Sequence, residues 1–287
     1  MTQTADIAAF EAQRPRLQRL AYRMLGSVTE AEDAVQDAWL RWGAAEGVAD
    51  PAAWLVRVTT RLCIDRMRAA RARRETYVGP WLPEPLIEPL VDDPVEKADE
   101  VSVAFLLALE RLSPLERAVF LLHDVFDQDY AQIAQTLDRS EAACRQLAAR
   151  GREHVHAARP RFTVPEDQAQ RMIGAFLAAA ASGDVASLAS LLAEDAVLLT
   201  DGGGKRVAAL NPIFGRDKIM RFVMGITKKG AFPEGTRFEP MRINGLPGLV
   251  ITDPEDVQTA AFEIGEDGLL TTIYMVRNPD KLRHLRG

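Results

Sequence analysis

Seven arginines stand between Arg57 and Arg74, against Asp65 as the single acid in that interval. At about 100° per residue on a helix, Arg57, Arg61, Arg68 and Arg71 fall within about 80° of one another. A short stripe of this kind is often a solvated face, but seven guanidinium groups on one helix fit phosphate neutralisation better. A second set lies at Glu141, Arg145 and Gln146, with Arg150 and Arg152 further along. On a recognition helix the first positions meet base edges and the later ones meet phosphates.

Catalytic chemistry is harder to find. Asp201 and Asp217 have no evident partner, and His284 is the only histidine after His156, so no acid–base pair can be assembled. Cys63 and Cys144 lie 81 positions apart and neither belongs to a Cys-x-x-Cys pair, which argues against a zinc site and for buried thiols in a reducing cytoplasm. Asp201-Gly-Gly-Gly-Lys205 lacks the spacing of a phosphate-binding loop and sits between strand-like runs, as a hairpin tip would. No catalytic residue, metal or cofactor is therefore expected.

The elements that would position these residues follow from periodicity. Leu17, Leu20, Ala21, Met24 and Leu25 make one buried helical face, ended by Gly26-Ser27. Thr29-Glu-Ala-Glu32 reads as a capping box for a second helix. Its apolar stripe is Ala31, Ala34, Val35, Ala38, Trp39 and Trp42; Asp33, Gln36, Asp37 and Leu40 lie opposite. A third helix, from about Pro51 to Arg74, turns Leu55, Val58, Leu62, Cys63 and Met67 inward. Further on, Ser113-Pro-Leu-Glu116 is a capping box with proline at the first helical position. Asp129 and Ser140 then cap two helices separated by the turn Asp138-Arg-Ser140, which is helix-turn-helix spacing. An ordinary pair of antiparallel helices would share that pattern. After residue 165 helices come first and three antiparallel strand-like runs follow, an α+β domain of about 120 residues.

Between the two helical segments runs Tyr77-Val-Gly-Pro-Trp-Leu-Pro-Glu-Pro85, continuing to Glu100. Prolines 80, 83, 85, 89 and 94 should keep it out of helix and sheet. From Glu84 to Glu100 seven acids face Lys97 alone, a net charge of −6. Such a run reads as a solvated spacer, except that Trp81 and Leu82 are apolar and Trp81 is expected to dock. Residues 1–160 carry 20 Lys+Arg and 25 Asp+Glu, so the two helical segments without this linker stand at +1 despite a whole-chain charge of −6. No run of eighteen apolar residues and no basic, apolar leader occurs, so neither a membrane span nor a secretion signal is expected.

The order of these pieces resembles an extracytoplasmic-function sigma factor. Ala31-Glu-Asp-Ala-Val-Gln-Asp-Ala-Trp-Leu-Arg-Trp42 resembles the polymerase-binding helix of that family. Trp54-Leu-Val-Arg-Val, with Cys63-Ile-Asp-Arg66, resembles the segment for the promoter −10 element, and residues 130–155 resemble the −35 helix-turn-helix. Trp81-Leu82-Pro83-Glu84-Pro85, Asp201-Gly202-Gly203-Gly204-Lys205 and Asn278-Pro279-Asp280-Lys281-Leu282 are similar to marker motifs of the subgroup with a SnoaL-like C-terminal extension. On local chemistry alone the last of these is a strand end followed by a turn.

The resemblance implies a multidomain chain: two all-α sigma domains (a helical bundle at 8–76 and a helix-turn-helix at 101–160), a linker at 77–100 and a cone-shaped α+β regulatory domain at 165–285. It implies a cytoplasmic, non-enzymatic factor, monomeric when free, that binds the β′ and β subunits of core RNA polymerase and promoter DNA. Asp33, Gln36, Asp37 and Leu40 would face polymerase. Arg57, Arg61, Arg68 and Arg71 would meet −10 DNA, and Glu141, Arg145, Gln146 and Arg150 would meet −35 DNA. The three marker motifs would dock the C-terminal domain on the linker and on one or both sigma domains through a Gly-rich tip and the Asn278–Leu282 turn, with Lys205 and Arg206 meeting Glu84 or Glu88, in place of a separate anti-sigma protein. A ligand-responsive repressor is the alternative; it would not need the polymerase-facing helix.

Overall fold

A computed structural model of the chain describes residues 3–88, 102–155, 165–230 and 233–285. The chain forms two compact units, Met1–Thr76 with Ala104–Arg159, and Tyr77–Val103 with Pro160–Gly287.

The first unit is all-α. Helices α1 (Gln3–Leu25), α2 (Val28–Gly43) and α3 (Pro51–Glu75) pack around Leu17, Leu20, Met24, Ala34, Leu55 and Cys63. Gly26, at φ 67°, closes α1. The cap of α2 is Ser27, whose Oγ accepts the Glu30 N–H at 3.1 Å, so the box expected at Thr29 lies two residues too late. A serine directly after the glycine satisfies the first free N–H groups before Thr29 can. Helices α4 (Val103–Glu110) and α5 (Pro114–Phe120) follow, and α5 runs into a single π turn, Leu121–Val125. The Ser113/Glu116 capping box is formed in both directions. Helix α6 (Tyr130–Leu137) is capped by Asp129, and α7 (Glu141–Val155) by Ser140. Asp138, at φ 54°, makes the left-handed turn between them.

The second unit is α+β. Helices α8 (Glu166–Ser182), α9 (Val185–Leu191) and α10 (Arg216–Lys228) share one core with a seven-stranded sheet of order β1-β4-β5-β6-β7-β2-β3. The strands are β1 (Ile87–Glu88), β2 (Leu192–Asp201), β3 (Ile213–Phe214), β4 (Arg237–Ile243), β5 (Leu246–Thr252), β6 (Val257–Ile264) and β7 (Leu270–Val276). All neighbours are antiparallel except β2 and β7. Phe176 of α8 meets Phe262 of β6 edge-on in that core, ring centroids 5.7 Å apart.

Two expectations fail here. Residues 205–210 form a loop rather than the second strand of a tight hairpin, and the Gly-rich segment opens the long connection from β2 to its antiparallel partner β3. The linker does enter the sheet: Ile87 pairs with Ile243 and Glu88 with Arg242 at the sheet edge. Ile87 and Glu88 stand between Pro85 and Pro89 and keep their own N–H groups, which is enough for a two-residue edge strand. The linker beyond Glu88, with most of its acids, lies outside the described residues.

Candidate functional site

On α2 the apolar stripe is buried apart from the half-buried Trp39, and Asp33, Gln36 and Leu40 point outward, Leu40 at 64% exposure. Arg66 of α3 reaches Asp37 at 2.6 Å and Asp33 at 4.0 Å. The acidic face thus carries an internal cation that helix periodicity within α2 cannot reveal.

The α3 stripe is not uniformly free. Arg68 is exposed and touches Asp65 loosely at 3.5 Å. Arg61 donates from Nε to the Thr136 carbonyl at 2.9 Å. Arg57 is half-buried, and its Nε is buried without a hydrogen-bond partner. The Arg71 side chain lies outside the described residues.

Helix α7 presents the expected residues to solvent. Its buried face is Cys144, Ala148, Gly151 and Val155, and a Cβ on Gly151 would sit 3.1 Å from the Phe120 side chain, which is why α7 lies so close to α5. Glu141, Arg145, Gln146 and Arg150 are exposed. Arg145 is held by Glu141 at 2.6 Å and lies over the Tyr130 ring at 5.4 Å. Arg152, expected to face phosphate, instead bonds Asp124 at 2.6 Å and the Tyr130 hydroxyl at 3.2 Å. Asp124 comes from the preceding π turn, and a fixed partner that close in space is invisible in the helix pattern.

In the second unit the marker motifs meet around one carboxylate. Asp201, at the end of β2, is fully buried. It accepts the Tyr77 hydroxyl at 2.5 Å, the Leu82 N–H at 2.8 Å and the Lys281 ammonium at 2.7 Å. Its backbone carbonyl accepts the N–H groups of Arg277 and Asn278. The acid that lacks a partner in the sequence therefore has three, two of them from the linker. Lys281 also donates to the Leu82 carbonyl and lies 4.2 Å from the centre of the Trp81 ring. Asn278 donates to the Tyr77 hydroxyl at 2.8 Å. Burial, then the bond to Asp201, raise the Tyr77 phenol well above its ordinary value.

Shape completes the clamp. Leu82 is fully buried and Pro83, Glu84 and Pro85 are buried, whereas Trp81 is only half-buried. Leu82 is thus the apolar anchor, and Trp81 covers Lys281. Gly203, at φ 57°, lies against Asn278, and a Cβ there would overlap the Asn278 amide. Gly204 faces Val78 in the same way, with a Cβ position 3.3 Å from it. Lys205 pairs with Asp280 at 2.5 Å and Arg206 with Asp256 at 2.5 Å, both within the C-terminal domain; the Glu88 side chain lies outside the described residues. Beyond the motifs, Asn244 exchanges bonds with the Leu86 backbone, and His284 Nε2 lies 2.9 Å from the Pro85 carbonyl. The 3-10 helix Pro279–Leu285 carries Lys281 and Leu282 inward.

Residues 9–73 match the Sigma-70 region 2 family and residues 102–155 match Sigma-70, region 4. The chain is 38% identical to the ECF RNA polymerase sigma factor SigJ of Mycobacterium tuberculosis, over 96% of this chain and 93% of that protein. It is 39% identical to the probable ECF RNA polymerase sigma factor SigI of the same species, over 64% of this chain and 66% of that one. The crystal structure of Mycobacterium tuberculosis SigJ superposes with a TM-score of 0.76 at 36% identity, covering 96% of this chain and 98% of the other. Two polymerase-factor regions in sequence order, with a relative matched nearly end to end, leave one conclusion: the chain belongs to the extracytoplasmic-function family of RNA polymerase sigma factors.

Proposed function

We propose that this sigma factor is regulated in cis, by a C-terminal domain that grips the linker between its two promoter-reading segments. Asp201 is the observation that carries the reading. A fully buried carboxylate holds a linker phenol and a linker N–H, and Lys281 completes the same cluster from the C-terminal end. Burying an ion pair is costly unless every polar group is satisfied, and such satisfied networks fix one geometry. Holding Tyr77–Ile87 in one path limits the reach of the chain that joins region 2 to region 4.

Within this reading α2 meets core polymerase through Asp33, Gln36, Asp37 and Leu40. Arg145 and Gln146 face −35 bases, and Arg57, Arg61, Arg68 and Arg150 face phosphates. The built-in domain takes the place of a separate anti-sigma protein. The test is run-off transcription by core polymerase with the full chain and with Asp201→Asn. The variant keeps the size of the side chain and removes its charge. A changed output or altered promoter preference supports the proposal; identical transcription at every promoter, with the linker cleaved by protease no faster, overturns it.

A further inference from the structure

Regions 2 and 4 fold into one compact unit, and the contacts that join them share a design. Arg117 of α5 is 1% exposed. It donates to the Met24 carbonyl at 2.7 Å, to the Leu109 carbonyl at 2.8 Å and to Glu110 at 2.8 Å. Met24 lies in the last turn of α1, where carbonyls have no partner within the helix. The reverse contact is Arg61 of α3 on the Thr136 carbonyl, in the last turn of α6. Each segment thus caps a helix C-terminus of the other with a cation, the sign that the helix dipole favours there. Phe126 adds to the seam: the guanidinium groups of Arg16 and Arg23 lie 5.9 and 5.4 Å from its ring centre. Beside it lies a cavity of about 230 Å³ lined by Arg16, Arg57, Gln128 and Thr136, among others. In that seam Arg57 Nε and Gln128 Oε1 are buried without hydrogen-bond partners.

We propose that Arg61 and Arg117 form a reciprocal clasp that holds the two promoter-reading segments closed, and that DNA phosphates open it by competing for Arg61. One guanidinium Nε cannot serve the Thr136 carbonyl and a phosphate together. Arg57, one turn away, has an unpaired Nε in the closed unit, and a phosphate contact would relieve that deficit. Arg117 has no access to DNA, because it is buried, so it isolates the clasp from the DNA contact. The clasp lies within regions 2 and 4, and its failure would leave the cis-regulation reading untouched.

The experiment uses the full chain with spin labels at Glu32→Cys and Glu153→Cys, both exposed positions, while Cys63 and Cys144 are fully buried. Distances between the labels are measured by pulsed electron resonance, and affinity is measured for a random-sequence DNA duplex, since phosphate contacts ignore sequence. The parent is expected to show a short distance that lengthens on adding duplex. Arg117→Gln should lengthen it without DNA and raise duplex affinity at least about 5-fold, because affinity scales with the fraction of binding-competent chain. Arg61→Gln should lengthen it with no gain in affinity. Parent distances unchanged by bound duplex overturn the proposal, as does an Arg117→Gln chain that matches the parent in both readouts. If circular dichroism shows that Arg117→Gln has not folded, the parent titration decides alone.

Discussion

Asp201 and Lys281 illustrate how much one buried pair can hold. They stand 80 positions apart in the sequence, and together they bind Tyr77, the Leu82 backbone and the Trp81 ring. Removing one member leaves the other charged, buried and unpaired. Lys281→Met is therefore expected to destabilise the second unit by about 3–5 kcal/mol. Denaturant unfolding followed by Trp81 fluorescence, in a chain with Trp39, Trp42 and Trp54 changed to Phe, measures it; a shift under about 1 kcal/mol would contradict the buried clamp. Tyr77 adds a pH signature. Burial and Asp201 raise its phenol, and burial with Glu263 raises that of Tyr274. A group whose pKa is raised on folding contributes stability below its unfolded value, about pH 10 for a phenol, and loses it above. Stability of the second unit should fall as pH rises beyond 10, and Tyr77→Phe should flatten part of that fall.

At the scale of elements, α7 and α3 carry, in the proposed reading, the two halves of promoter recognition. On α7 one face is tied to α5 through Gly151, which leaves Arg145 and Gln146 outward on the first turns. Arg145→Ala should cost about 1–3 kcal/mol at one −35 position and relax preference there. Arg68→Ala on α3 should weaken binding to all sequences alike and lower its salt dependence. Binding-site selection with both variants checks the sorting, and the same change in sequence profile for both would refute it. The linker behaves as an element too. Its prolines exclude long strands, yet Ile87–Glu88 pairs at one edge of the sheet, so the domain's own hydrogen bonding holds the linker there.

For the whole molecule the relevant event is assembly with core polymerase. The exposed face of α2 combines Asp33, Gln36, Leu40 and an Asp37 partly neutralised by Arg66. Reversing Asp33 and Asp37 to Arg would place two cations beside Arg66. Co-purification with core polymerase should be lost while the helical circular-dichroism signal is kept, because neither residue belongs to the buried stripe. Undiminished co-purification would move the polymerase contact elsewhere. Among the described residues no helix is long and apolar enough to cross a membrane, and no cluster of His, Cys, Asp or Glu is arranged to hold a metal.

Local patterns were enough to place most helices, the helix-turn-helix caps and the α+β order of the last domain. Periodicity and capping act between residues a few positions apart, and the chain carries that information directly. The motifs Trp81–Pro85, Asp201–Lys205 and Asn278–Leu282 were legible as a set, but not what each residue does. Leu82, not Trp81, is the buried anchor. Lys205 pairs with Asp280 of its own domain. Arg117 and Arg66, which nothing local distinguishes from other arginines, join different helices. Partners 29 to 201 positions apart are chosen by how strands and helices pack, because a buried charge takes whichever opposite charge or carbonyl the fold brings within about 3 Å. That choice belongs to the tertiary structure, and it turned an isolated aspartate in the sequence into the centre of the linker clamp.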